Sequence, residues 1–246
     1  MGSRELILNS IRSALSDLKD RPSLPEVPEV WPLQGISKDD LLETFGKNLT
    51  AVSGEFVCCS DQNDAVEKMA QLLQSLDDAN PKTNASENSF EWGIMPRPLT
   101  ESICHKIEEK YQGKLPNQKT LLKTIFSPEN PEEAFPQTLQ TLNASFVSAE
   151  FLLADTGSAV IRASTAFERQ LCYLSPICLI AASKSMLNEH LPQVWNDMKK
   201  MMGENGQTSG EFLIMTGPSR TADIEKILVL GVHGPKKVVV FIIDNE

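Results

Sequence analysis

The sequence lacks the marks of several large functional classes. No stretch approaches the about 18 uninterrupted apolar residues of a membrane-spanning helix, so no membrane span is expected. No basic stripe is present, and 23 lysines and arginines against 33 aspartates and glutamates give a net charge of −10. Phosphate neutralisation dominates nucleic-acid affinity, which argues against a nucleic-acid partner. Histidine is scarce: His105, His190 and His233 stand far apart and form no HxxxH. The five cysteines, Cys58, Cys59, Cys104, Cys172 and Cys178, include a vicinal pair but no CxxC. Neither a metal site nor a four-cysteine iron–sulfur cluster is therefore expected in this chain. An odd cysteine count and an N-terminus, MGSRELILNSIRSALSDLKD, without a secretory apolar region point to a reducing, cytoplasmic compartment. Leu6 at the sixth position excludes a myristoylation signal. The GxxxxGK[ST], GxGxxG and GxSxG patterns are also missing, which excludes a P-loop, a dinucleotide fingerprint and a hydrolase nucleophile elbow.

What remains is an ordinary soluble chain of 246 residues, 41% hydrophobic. That length holds one large domain, or one domain with an appendage. Residues 3–19 read as a helix with Leu8, Ile11, Leu15 and Leu18 in one apolar stripe. Residues 20–36 carry Pro22, Pro25, Pro28 and Pro32 and read as an extended linker. Residues 37–246 then form the α/β domain. Helices are expected over 38–52, 61–76 (capped by Asp61 or Asn63) and 99–111, with a further short helix after the SPENPEE segment. Helices are also expected over 185–202, interrupted early by Pro192, and over 222–228. Strands are expected over 55–59, 90–95, 121–126, 176–182, 210–216 and 237–243. Residues 77–89 read as a loop. The apolar runs 145–154 and 158–163, joined by Asp-Thr-Gly, read as a hairpin or tight strand–turn–strand. Alternating strands and helices imply a mostly parallel sheet covered on both faces.

Chemistry concentrates in three loops. The first is Asp155-Thr156-Gly157-Ser158. Glycine permits close backbone approach and the side chains supply polar contacts, although the same residues make a plain turn. The second is Gly217-Pro218-Ser219-Arg220-Thr221-Ala222-Asp223, after an apolar strand. Thr221 is the expected N-cap of a following helix, with Asp223 complementing its dipole. Arg220 beside free helix N–H groups makes a natural anion site, at the expected carboxyl ends of the strands. The third is Gly231-Val232-His233-Gly234-Pro235. His233 between glycines reads as a general base, a hydrogen-bond donor or an exposed loop residue.

Together, ADTGSAVI, TGPSRTADIE and LGVHGP, with the SRELILNSIRSAL opening, resemble the LUD-domain family and within it the lactate utilization protein C branch. Members often carry Glu-Thr-Gly-Thr where this chain has Asp155-Thr156-Gly157-Ser158. The resemblance implies a three-layer α/β/α fold similar to the NagB/RpiA/CoA-transferase group. It also implies a part in oxidising L-lactate to pyruvate with partner proteins that carry the iron–sulfur clusters.

On this reading Asp155, Thr156, Gly157, Ser158, Gly217, Pro218, Ser219, Arg220, Thr221, Asp223, Gly231, His233 and Gly234 line one pocket for a small anionic metabolite. Arg220 supplies charge and loop N–H groups bind oxygens. The catalytic step is unassigned, with His233 and Asp155 as its candidates. An independent enzyme on a phosphorylated, CoA-linked or folate-like substrate is the alternative that fold analogy suggests. A scaffold or regulatory subunit with a vestigial pocket is a third.

Overall fold

The computed structural model describes residues 3–16, 35–79, 89–126, 141–202, 210–222 and 228–245. The chain divides into two compact units, Met1–Pro32 and Leu33–Glu246. In the first, α1 (Ser3–Ser16) carries Leu8, Ile11 and Leu15 at helical spacing. The expected linker lies almost wholly outside the described residues.

In the second unit, Ser37 caps α2 (Lys38–Ala51) by accepting from the Asp40 N–H. β1 (Glu55–Asp61) runs directly into α3 (Gln62–Ala79). Of the two expected caps Asp61 acts: its carboxylate accepts from the N–H groups of Asn63 and Asp64 at 2.7 and 2.9 Å. β2 (Ser89–Ile94) leads through Met95-Pro96-Arg97 into α4 (Pro98–Tyr111). Proline at a first helical position leaves no extra donor unpaired. β3 (Leu121–Phe126) follows. The loop over 80–88 and the short helix after SPENPEE fall outside the described residues.

The apolar run 145–154 divides between two sheets. β4 (Ala144–Ser148) joins the parallel sheet, whereas β5 (Phe151–Leu153) makes the hairpin with β6 (Ser158–Ala163), pairing Leu153 with Ser158. Next comes α5 (Ala166–Leu174), which the sequence reading did not assign. Thr165 caps it, and Phe167, Leu171 and Cys172 are buried. β7 (Ile177–Ser183) is followed by a 3-10 turn (Lys184–Met186) and β8 (Leu187–Asn188). α6 (Leu191–Met201) therefore starts later than expected, and Pro192 sits in its first turn instead of interrupting it. β9 (Glu211–Met215) precedes β10 (Arg220–Ala222), β11 (Leu228–Leu230) and β12 (Lys237–Asn245). The helix expected over 222–228 is corrected at both ends: Ala222 and Leu228 are antiparallel partners. Thr221, the expected helix cap, faces Val229 in the same ribbon. Cross-strand pairing overrides the local capping signal there.

The main sheet has six strands in the order β1-β12-β7-β4-β2-β3, all parallel. Its central strands are apolar on both faces, as covered parallel strands must be. On β12, Val239, Phe241 and Ile243 pack with Leu73 of α3 and Ile103 of α4. The alternate residues Val238, Val240 and Ile242 pack with Phe45 of α2 and Leu171 of α5. That second face also takes Leu152, Ile161 and Leu213 from a smaller sheet of order β8-β5-β6-β9. The fold is α/β, with a mostly parallel central sheet and helices on its faces.

Candidate functional site

The Asp155–Ser158 loop is the turn of the β5–β6 hairpin, and its backbone is anchored from two directions. Asn48 Nδ2 of α2 donates to the carbonyls of Ala154 and Asp155 at 2.8 and 3.0 Å. The Asp155 N–H donates to the Glu189 carbonyl at 3.0 Å. Gly157 has φ +64°, and a Cβ there would lie 2.2 Å from the Leu49 backbone nitrogen. Glycine is required on both counts. The Thr156 hydroxyl donates to the Asp155 carboxylate at 3.2 Å and accepts from Ser158 at 2.8 Å. The carboxylate is thus engaged within its own turn.

Ser158 also shares a 2.6 Å hydrogen bond with Thr216, which joins the first loop to the second. Gly217 (φ +74°) lies against the turn before β1, where a Cβ would stand 2.9 Å from the Val52 carbonyl oxygen. The second and third loops interlock through backbone. The Ser219 N–H donates to the Pro235 carbonyl at 2.9 Å, and the Gly231 N–H donates to the Ser219 carbonyl at 2.8 Å. The Lys236 N–H then donates at 2.8 Å to the carbonyl of Pro176, the residue before β7. These contacts place the second and third loops where β1, β12 and β7 begin. That corrects the expectation that the second loop sits at the strands' carboxyl ends: it follows β9, which belongs to the smaller sheet.

A cleft of about 420 Å³ opens between these loops. Thr216, Gly217, Ser219, His233, Gly234 and Pro235 line it, with Cys172, Tyr173 and residues 212–215 of β9. Of the residues singled out from sequence, Gly217, Ser219, His233 and Gly234 are therefore together. Ser158 reaches the cleft through Thr216, Gly231 is bonded to Ser219, and Pro218 is buried. Asp155, Thr156 and Gly157 stay in the neighbouring hairpin turn, outside the lining. Arg220 is exposed on β10, and Thr221 lies in the same strand. Asp223 lies outside the described residues.

Sequence reasoning missed several lining residues, among them Thr216, Cys172, Tyr173 and residues 212–215 of β9. Thr216 was legible as the residue before Gly217, but Cys172 and Tyr173 sit on the unassigned α5. Burial, reinforced by neighbouring Cys178 and Glu168, pushes the Cys172 thiol far up. Burial also raises the Tyr173 hydroxyl. Both therefore present neutral groups at neutral pH, and Cys172 is not an activated thiolate. Among the described residues no group of three or more His, Cys, Asp or Glu is placed to hold a metal ion. None of their helices is long and apolar enough to cross a membrane.

The LUD domain family model matches residues 42–243, which takes in the hairpin, the cleft and all six parallel strands. The chain belongs to the LUD domain family. Similar proteins match over nearly the whole LUD chain. Lactate utilization protein C of Bacillus pumilus is 24% identical, covering 99% of this chain and 97% of its own. YkgG of Escherichia coli is 31% identical over 100% of both chains. Lactate utilization protein C of Macrococcus caseolyticus is 29% identical over 92% of this chain and 88% of its own. A crystal structure of a DUF162 family protein from Deinococcus radiodurans covers 85% of this LUD chain and 99% of its own, at 12% identity and TM-score 0.43.

Proposed function

We propose that this LUD protein is a component of an L-lactate utilization system, acting with iron–sulfur partner proteins in the oxidation of lactate to pyruvate. Full-length similarity to proteins named lactate utilization protein C supports the pathway. We propose further that the cleft where the parallel strands begin binds a small anionic ligand. One observation carries this: two loops separated in sequence interlock so that Ser219 and His233 line the same cleft. The Ser219 hydroxyl is a donor for ligand oxygens, and His233 supplies a further N–H, while the Thr216 hydroxyl donates to Ser158. Arg220, exposed and next to Ser219 in the chain, adds positive charge beside the cleft. Asp155 acts from outside: its turn holds Ser158, which holds Thr216. Redox chemistry belongs to the partner proteins in this account.

The test is growth on L-lactate of a strain lacking this protein, complemented with the wild type, His233→Ala or Ser219→Ala. The wild type is expected to restore growth, and His233→Ala to restore it poorly at equal protein level. Unimpaired growth of the uncomplemented strain would remove the pathway assignment. Full rescue by both variants would remove the cleft's role.

A further inference from the structure

The opposite end of the parallel sheet holds a second crevice that none of the three loops enters. β2 passes through α4 to β3 on one side, whereas β4 is followed in the sheet by β7 on the other. The winding therefore reverses between β2 and β4, and open α/β sheets hold ligands outside the carboxyl ends of strands at such a reversal. A crevice of about 320 Å³ lies there, lined chiefly by Gln62, Arg97, Leu99, Ser148, Glu150 and Met186. These residues stand at or just after the ends of β1, β2, β4 and β7, so four strand ends converge on it.

Its polar groups are fixed in place. Arg97 forms a fork to the buried Glu168, with NH1 to Oε1 at 2.8 Å and NH2 to Oε2 at 3.0 Å. The same guanidinium donates to the carbonyls of Pro96 and Arg162 at 2.8 and 3.1 Å. Those bonds use its terminal nitrogens and not its Nε–H. Gln62 Oε1 accepts from Ser102 and Lys106 at 2.8 and 2.9 Å, which orients the amide and keeps its NH2 group as donor. Glu150 accepts from Arg162 Nε through Oε1 at 3.3 Å, a bond that does not use Oε2. The apolar walls are Leu99 and Met186. The crevice thus offers N–H donors suited to a carboxylate, a carboxylate oxygen suited to a hydroxyl, and a short apolar surface between them.

We infer that this crevice is a binding site for a small hydroxycarboxylate. The carboxylate accepts from the Gln62 amide and Arg97 Nε–H, and the hydroxyl donates to Glu150. The inference goes beyond the cleft described above and does not depend on it. Calorimetric titration of the full chain with L-lactate, and with propionate as the analogue lacking the hydroxyl, tests it. Gln62→Glu keeps the acceptor for Ser102 and Lys106 but replaces the donor with an oxygen, so the fold is spared. It is expected to weaken L-lactate binding by about tenfold or more, the loss of a charge-assisted hydrogen bond. Glu150→Gln is expected to narrow the preference for L-lactate over propionate. Absence of saturable L-lactate binding overturns the inference. So does unchanged L-lactate affinity in Gln62→Glu and Glu150→Gln, or loss confined to His233→Ala, which would leave the cleft as the binding site.

Discussion

At Gly157 a positive φ and contact with the α2 backbone coincide, so a single methyl group meets two obstacles. Gly157→Ala is expected to destabilise the protein by more than about 1 kcal/mol, measured as a lowered urea midpoint. A midpoint equal to wild type would show that α2 and the hairpin can separate without loss. The cysteines divide just as sharply. Cys58 is exposed, whereas Cys59, Cys104, Cys172 and Cys178 are buried. Ellman's reagent is expected to titrate one thiol in the native protein and all five after denaturation. Burial raises the Cys58 thiol too, so its reaction is expected to be slower than that of free cysteine at the same pH. Part of the cleft was legible at this scale, because Gly217, Ser219 and His233 stand in short glycine-bearing loops. Arg97 and Glu168 were not legible. They lie 71 residues apart, and nothing local in either segment announces a partner.

The Arg97–Glu168 pair ties the β2–α4 connection to the start of α5. Glu168 also accepts from the Ser164 N–H at 2.6 Å, so one buried carboxylate serves two segments. Glu168→Ala leaves a guanidinium largely out of water without its partner and is expected to cost about 3–5 kcal/mol. Thermal unfolding should show it as a large fall in Tm, and an unchanged Tm would mean that Arg97 turns to solvent at no cost. Elements differ in how clearly the sequence announces them. β7 and β12 stand out because burial on both faces demands continuous apolar runs. The run 145–154 is equally apolar, yet apolarity does not say which sheet a residue joins, and β4 and β5 part company after Ser148. α5 is only nine residues long, too short for a periodic pattern to emerge. The capping residues after Gly217 pointed to a helix, but β10 and β11 pair with each other there.

Across the whole molecule, buried thiols set an alkaline limit. Burial pushes Cys59 up to about 11 and both Cys104 and Cys178 up to about 12, against an ordinary value of 9.0. Below pH 9 folded and unfolded chains hold these protons alike. Above it the unfolded chain loses them first, so stability falls as pH rises toward the folded values. For a fully buried thiol such as Cys178 the loss is about 1.4 kcal/mol per pH unit. Urea midpoints are expected to drop between pH 9 and pH 11, and Cys178→Ala to flatten that drop. The net charge of −10 does not conflict with the proposed anionic ligand, because local groups govern binding while the total describes the solvated surface. The central claim, that this LUD protein takes part in lactate oxidation, is tested most directly by reconstituting pyruvate formation from L-lactate with the proposed iron–sulfur partner proteins, with and without this chain. The expected result is pyruvate formation that depends on the chain and falls when His233→Ala replaces it; an equal rate with the chain left out would contradict the account.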